Sequence, residues 1–248
     1  MAEPSTASGA CLVVGAGDGL GAAIARAFAA EGLAVCVTRR PRHVEELEAL
    51  AASTREAGRE AQAFGLDARV EREVAALVDR IERDIAPLEV LVFNIGANVR
   101  FPVAETTTRV YQKVWEMAAL AGFLAGREAA RVMAPRGRGT ILFTGATASL
   151  RGGAGYAGFA GAKHALRALA QSMARELGPQ GVHVAHVVVD GAIDGAFIRS
   201  ITPDWEERLA RDDILRPDEI AKNYVWLHKQ HRSAWTHEMD LRPWSEKW

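Results

Sequence analysis

Short apolar runs alternate along this chain with longer stretches whose apolar residues recur every three or four positions. The runs at 10–14, 33–37, 61–66, 88–93, 139–144, 182–189 and 238–241 have the length of strands. Most are nearly continuous in apolar residues, as strands covered on both faces are. Between them the period changes to that of a helix. Residues 22–31 carry Ile24 and Phe28 on one face and stop at Gly32. Residues 43–57 carry Val44, Leu47 and Leu50, and residues 70–85 carry Val74, Leu77, Val78 and Ile81. Long helices are expected over 107–134 and over 156–177, the second stopped by Gly178-Pro179, and a last one over 217–229, with Pro217 at its start. Residues 193–216 are irregular in pattern, with a short helix expected near 204–210.

This alternation predicts an α/β chain: a single Rossmann-like, doubly wound parallel sheet of about seven strands with helices on both faces, since parallel neighbours require a crossover. No linker or repeat interrupts it. The expected organisation is a flexible N-terminal tail over 1–9 and one domain over 10–248, with a substrate loop at about 191–216 and a Trp-rich tail over 235–248.

Composition narrows the picture only slightly. The chain has 248 residues, 49% apolar and 25% charged, with a formal net charge of -1. That balance suits a globular protein with a sizeable core and gives no basic excess for nucleic acid or a membrane surface. Cys11 and Cys36 lie inside apolar runs and are expected as reduced, buried thiols, which suits a reducing compartment. No signal peptide and no membrane-spanning stretch is read, so a cytoplasmic location is expected.

Sheets of this kind bind ligands beyond the carboxyl ends of their strands. After the first strand comes Gly15-Ala-Gly17-Asp18-Gly19-Leu20-Gly21, joining strand to helix. Glycines permit the tight turn and a close backbone approach, and the helix N-terminus offers N–H groups to phosphate. The alternative is a plain glycine turn with Asp18 as the helix cap. After the second strand come Arg39 and Arg40 with no carboxylate. A carboxylate there would serve a ribose 2′-hydroxyl, whereas arginines serve a 2′-phosphate, so NADP is favoured over NAD. Asp67, beside Ala68 after the third strand, is placed to accept from an adenine amino group or to cap the next helix. Asn94 and Gly96 follow the fourth strand and Ile193 the sixth; they complete the expected cofactor set.

Together these residues resemble the short-chain dehydrogenase/reductase family, over nearly the whole chain. The resemblance rests on Gly15-x-x-x-Gly19-x-Gly21, on Asn94-Ile95-Gly96, and on Lys163 with His164-Ala165-Leu166. It implies a Rossmann-like fold, an NAD(P) cofactor, and a homodimer or homotetramer built through the two long helices. The small residues within 118–130 and 157–170 would suit such an interface, or ordinary packing on the sheet.

The departures are as informative. The family's Tyr-x-x-x-Lys reads here as Phe159 before Lys163, and Phe cannot transfer a proton. Its catalytic Ser falls on Ala146, with Thr144, Thr147 and Ser149 nearby, and its Asn falls on Ala119. Its Pro-Gly after the sixth strand is Asp190-Gly191, and the Thr further on is Gly195. Tyr156 lies seven residues before Lys163, about two helical turns, so the two could share a face. That spacing resembles the Tyr-x6-Lys of the enoyl reductase branch. Tyr156 and Lys163 are therefore the candidate catalytic pair, with Lys163 also expected to hold the nicotinamide ribose. Asp190 and Asp194 are candidate acids if their pKa values were raised, and Arg100 and Arg151 candidate anion contacts, with exposure on the surface the plainer account of all four. No metal site is expected: His183 and His186 face opposite sides of a strand, and nothing completes a site around His228 and His231. Trp226, Trp235, Trp244 and Trp248 suit subunit packing or a pocket cover.

The favoured reading is an NAD(P)H-dependent oxidoreductase that passes hydride to a small organic substrate, with an activated C=C or C=N bond favoured over a simple ketone. The alternatives are a cofactor-binding protein without redox activity, and a non-redox lyase or cyclase using the same pocket.

Overall fold

A computed structural model describes residues 7–246. Residues 1–6 of the expected tail, and Trp248, lie outside the described residues.

The strands are β1 (Ala10–Val14), β2 (Ala34–Arg39), β3 (Ala61–Gly65), β4 (Leu88–Phe93), β5 (Gly139–Thr144), β6 (Val182–Val189) and β7 (Glu238–Leu241). All pair in parallel, in the order β3-β2-β1-β4-β5-β6-β7. The helices are α1 (Leu20–Ala30), α2 (Val44–Glu56), α3 (Glu71–Asp84), α4 (Thr108–Trp115), α5 (Ala121–Met133), α6 (Ala157–Leu177), α7 (Ala196–Ile201), α8 (Trp205–Ala210) and α9 (Pro217–His228). Strand order reverses between β1 and β4, which opens a crevice at their carboxyl ends.

Successive strand residues point to opposite faces, and the core divides accordingly. Leu12, Phe93, Ile141 and Val184 meet Val78, Ile81, Ala125, Met133 and Leu166 on one face. Val13, Val35, Val92 and Val187 meet Ile24, Phe28, Leu47, Tyr224 and Leu227 on the other. Each large aliphatic or aromatic side chain so buried contributes on the order of 1.5–3 kcal/mol. Cys11 and Cys36 are free and belong to opposite faces, so the sheet itself keeps the sulfurs apart. Burial pushes the Cys36 thiol up to about 12, and Cys11 also rises.

Three expectations change. The second strand runs past Val37 to Arg39, because Thr38 and Arg39 pair with Phe64 and Gly65 of β3; Arg39 thus sits on a strand end and not in the loop beyond it. The single long helix over 107–134 is two helices joined by a π-helical turn, Glu116–Leu120, with Ala118 and Ala119 buried in it. The stretch over 193–216 holds two short helices, α7 and α8. Neither buries a residue, so α7 leaves no apolar period to read.

Small residues on the long helices serve packing within the chain. A Cβ at Gly126 would lie 2.9 Å from Phe143 Cζ and 3.0 Å from the Met173 sulfur, and one at Gly122 would strike Leu166. Tyr111, Trp115 and Phe123 are the large apolar side chains that these helices leave exposed.

The turn from β1 into α1 depends on two glycines. Gly15 has φ +96°, the left-handed region that side chains resist. A Cβ at Gly21 would lie 2.5 Å from the Gly15 carbonyl oxygen and 2.7 Å from Ala16 Cα, both backbone atoms that cannot rotate away. Gly21→Ala is expected to destabilise the fold by about 1–3 kcal/mol through overpacking, a loss measurable by urea unfolding.

Candidate nucleotide and substrate site

The carboxyl ends of the central strands open into two cavities, of about 240 Å³ and about 650 Å³. Asn94, Ile95 and Gly96 line both, so together they form one trough across the crevice beside β1 and β4.

The structure brings the expected residues to this trough. Gly15, Gly17, Arg39, Arg40, Asp67 and Ala68 line the smaller cavity. Asp18, Gly19, Leu20, Tyr156, Lys163 and Ile193 line the larger. Gly21 lies behind them, packed under the loop. Asn94 holds the loop in place: its backbone N–H donates to Val14 O at 2.8 Å and its side-chain amide to Gly15 O at 3.1 Å.

Helix α1 begins at the trough with Gly19 as its cap residue. Among the described residues no side chain caps this helix end, and no acid stands in its first turn. Asp18 is therefore not a cap. The helix end presents N–H groups and the positive end of its dipole, the usual seat of a phosphate.

The smaller cavity has a cationic end. Arg39 is ion-paired with Glu46. Arg40 has no ion-pair partner among the described residues. Burial lowers its pKa, and the guanidinium groups of Arg42 and Arg69 add to that shift. Asp67 is engaged by Arg69, whose Nε donates to Oδ1 at 2.9 Å and Nη2 to Oδ2 at 2.6 Å; this pair holds the Asp67 carboxyl below its ordinary range. The cap of α3 is Val70, with no side-chain bond, so Asp67 does not fill the capping role left open for it. Arg69, His43 and Met117 also line this cavity and were not among the expected residues. For Arg69 the only sequence signal was its place two residues beyond Asp67.

At the other end, Lys163 is buried, with 2% of its surface exposed. Its ammonium donates to Thr144 O at 2.8 Å and Ile95 O at 3.0 Å, and burial brings its pKa down to about 7. The Phe159 ring centroid lies 5.9 Å from Nζ. Tyr156 is the cap residue of α6 and half-buried; its ring centroid lies 6.5 Å from that of Phe159 and 5.9 Å from the Arg100 guanidinium carbon. Tyr156 and Lys163 line one cavity, but no hydrogen bond joins them among the described residues; the Phe159 ring neighbours both.

The hydroxyls around Ala146 are engaged. Thr144 Oγ1 shares a hydrogen bond with the Tyr224 hydroxyl at 2.7 Å. Ser149 is fully buried and its Oγ accepts from Ala146 N at 3.1 Å. Thr147 donates to Asp190 Oδ1. Asp190 is only 1% exposed, so the expectation of a surface carboxylate fails: it is the last buried position of the sixth strand's run, turned toward the Thr147 loop. Asp194 is no candidate for a raised pKa. Arg199 donates to both its oxygens at 2.9 and 3.0 Å and Trp205 Nε1 at 2.9 Å, which hold its carboxyl below the ordinary range.

His183 and His186 make contacts within the fold. His183 Nε2 bonds Thr236 O at 2.8 Å and stacks on Trp235; His186 Nδ1 lies 3.1 Å from Glu238, and burial lowers its pKa to about 4. Among the described residues no group of three His, Cys, Asp or Glu could hold a metal ion, and no helix is long and apolar enough to cross a membrane.

A doubly wound parallel sheet with a glycine turn and an open helix N-terminus at its crevice defines a protein of the nucleotide-binding α/β class. The family model for short chain dehydrogenases matches residues 10–205, and the chain belongs to the short-chain dehydrogenase/reductase family of oxidoreductases. It is 32% identical over 243 residues to the short-chain reductase protein NovJ of Streptomyces niveus, covering 92% of this chain and 89% of that one. A crystal structure of a short-chain dehydrogenase from Rhodopseudomonas palustris is 49% identical, with a TM-score of 0.81 over 95% of this chain and 99% of that chain. A variant of actinorhodin polyketide ketoreductase, crystallised with NADPH, is 26% identical, with a TM-score of 0.84 over 95% of this chain and 96% of that chain.

The buried Lys163 carries a pH signature. Its folded pKa of about 7 lies below the ordinary 10.5, so above pH 7 the unfolded chain binds a proton that the folded chain does not. Burial of the charge therefore costs stability in full below about pH 7, and the cost fades as pH rises toward 10.5. The stability of the native chain relative to Lys163→Met should be flat below pH 7 and rise above it, as read by urea unfolding of both proteins across that range.

Proposed function

We propose that this protein is an NADP(H)-dependent oxidoreductase that transfers hydride to a small organic substrate. An activated C=C or C=N bond suits the site better than a simple ketone. The trough fits the cofactor. Gly17 faces it with open space where a Cβ would be, Arg39 Cζ at 3.9 Å being its one neighbour within 4 Å. The α1 N-terminus would take the pyrophosphate and Arg40 the 2′-phosphate, while Asp67 and Ala68 border the adenine end and Asn94, Gly96 and Ile193 the nicotinamide end. Structural neighbours crystallised with NADPH or NADP support the same choice. When bound, the cofactor supplies the hydride.

One observation carries the substrate preference. Where the family's phenol and hydroxyl would stand, this chain has Phe159 and Ala146, while the glycine turn, Asn94 and Lys163 still line the trough. A ketone needs a proton donor at its developing alkoxide. Phe159 offers none. Lys163 would hold the nicotinamide ribose, and Tyr156, whose hydroxyl has no bonding partner among the described residues, or a water would give the proton that a C=C bond requires. The same two replacements are what a redox-silent binding protein would carry, so turnover decides between the readings.

The unit over 10–248 would act as one domain, with residues 191–216 over the substrate. We infer a homodimer or homotetramer through the long helices, for which exposed Tyr111, Trp115 and Phe123 supply apolar surface.

Two measurements test the proposal. Arg40→Ala should weaken NADPH roughly 10- to 100-fold and NADH little, by fluorescence titration, since a charge-assisted bond to phosphate is lost. NADPH absorbance should fall with some member of a panel of ketones, enones and imines. NADPH binding without turnover of any member would overturn the redox reading.

A further inference from the structure

The larger cavity holds a polar pair that the family resemblance does not supply. Thr147 lines the cavity and its hydroxyl donates to Oδ1 of Asp190, which lies behind it and is 1% exposed. Two guanidinium groups stand near Asp190: Arg151 Nη2 at 3.8 Å from Oδ1 and Arg242 Nη2 at 3.7 Å from Oδ2. Arg242 is in turn ion-paired with Asp240. Oδ2 accepts no hydrogen bond among the described residues, so Thr147 is the hydrogen-bond donor that this carboxyl holds.

A hydroxyl whose proton is committed to a carboxylate has only lone pairs left to offer. Toward the cavity Thr147 is therefore an acceptor, and the bond to Asp190 makes its oxygen more electron-rich. The other hydroxyls of this wall do not compete. Thr144 is bonded to Tyr224, and Ser149 is fully buried and accepts from Ala146. An acceptor is the wrong partner for the oxygen of a ketone or enone, on which negative charge develops. It is the right partner for an N–H.

The geometry points to Thr147, held by the positioning residue Asp190, as the substrate contact that accepts from the N–H of a protonated C=N bond. This deepens the hydride-transfer proposal above and rests on it. The chemistry balances without a proton donor. A C–H bond forms at the iminium carbon with the hydride that NADPH gives up, and the C=N π pair becomes the nitrogen lone pair. The N–H proton stays on nitrogen, the iminium charge is cancelled, and NADP+ is left. Phe159 and Ala146 then cost the reaction nothing, because no alkoxide or enolate is formed. Lys163 and Arg151, also on the cavity, disfavour a cation at long range; Asp18 and the Thr147–Asp190 pair oppose them there.

The test uses 3,4-dihydroisoquinoline at mildly acid pH, cyclohexenone as the competing class, and 1,2,3,4-tetrahydroisoquinoline, the amine product in the ammonium form it takes after proton uptake from solvent at that pH. NADPH should be consumed with the imine. Thr147→Val should raise both the KM for the imine and the calorimetric Kd for the ammonium product about 10-fold or more, as expected for loss of a bond to a charged donor. NADPH affinity should hold, which also reports that the variant is folded. Thr147→Ser should restore both constants. Asp190→Asn should raise KM more than it lowers kcat. Turnover of cyclohexenone but not of the imine, or a Thr147→Val protein with unchanged product Kd, would overturn the inference and leave hydride transfer standing. Ammonium binding that depends on Thr147 without turnover of either class would support the contact and overturn the redox reading instead.

Discussion

The buried ammonium of Lys163 ties this site together. It reaches from α6 to the carbonyls of Ile95 and Thr144, just past β4 and at the end of β5. Taking an ammonium out of water is costly, and only well-placed acceptors make the position tolerable. Those two carbonyls lie where neighbouring strands release their chains, so the contact fixes the separation of the loops that follow them. It also fixes the first turns of α6, and so the positions of Phe159 and Tyr156 on the cavity wall. The lowered pKa is the residual cost of the arrangement.

Most of the fold was legible because it depends on local pattern. Runs such as 88–93, 139–144 and 182–189 became strands with the same limits, since turn residues bound an uninterrupted apolar segment. What escaped was set by partners distant in sequence. β2 extends to Arg39 because β3 offers pairing there. The π turn at Glu116–Leu120 sits where small, buried alanines lie against α6, a packing condition that helical periodicity does not encode. In the site, the glycine turn and Arg40 could be named because strand-end positions are predictable in a doubly wound sheet, and Lys163, inside α6, because the family resemblance marked it. Arg69 and the Thr147–Asp190 bond could not. Arg69 pairs with Asp67 two residues away, a contact that spacing alone does not announce; Thr147 and Asp190 meet only through the folded chain, and Asp190, read as a surface residue, is buried one position past the end of β6.

The two ends of the trough differ in kind. At the end beyond β2 and β3 charge is concentrated: Arg40 is left unpaired among the described residues while Arg39 and Arg69 are engaged by Glu46 and Asp67. Pairing of its neighbours keeps them in place and leaves one guanidinium available to a dianion. At the end beyond β5 and β6 charge is masked. Lys163 is spent on carbonyls, Asp194 on Arg199 and Trp205, and Asp190 is withdrawn behind Thr147. Binding strength would then come from the first end and selectivity from the second, where few polar groups remain free.

On the proposed reading, that division gives Phe159 at the family's phenol position a physical sense. A donor hydroxyl beside a low-pKa lysine serves substrates whose reduction creates an oxyanion, and it would leave an unpaired donor against any other substrate. An unpaired buried donor costs about 1–3 kcal/mol. Phe159 removes that penalty and keeps the ring that packs beside Lys163. On the proposed reading, the polar contact absent from position 159 would be supplied with its sense reversed, as an acceptor, by Thr147 on the turn packed against α6. An acceptor in place of a donor would change which reacting group the site stabilises, while the trough itself keeps its shape.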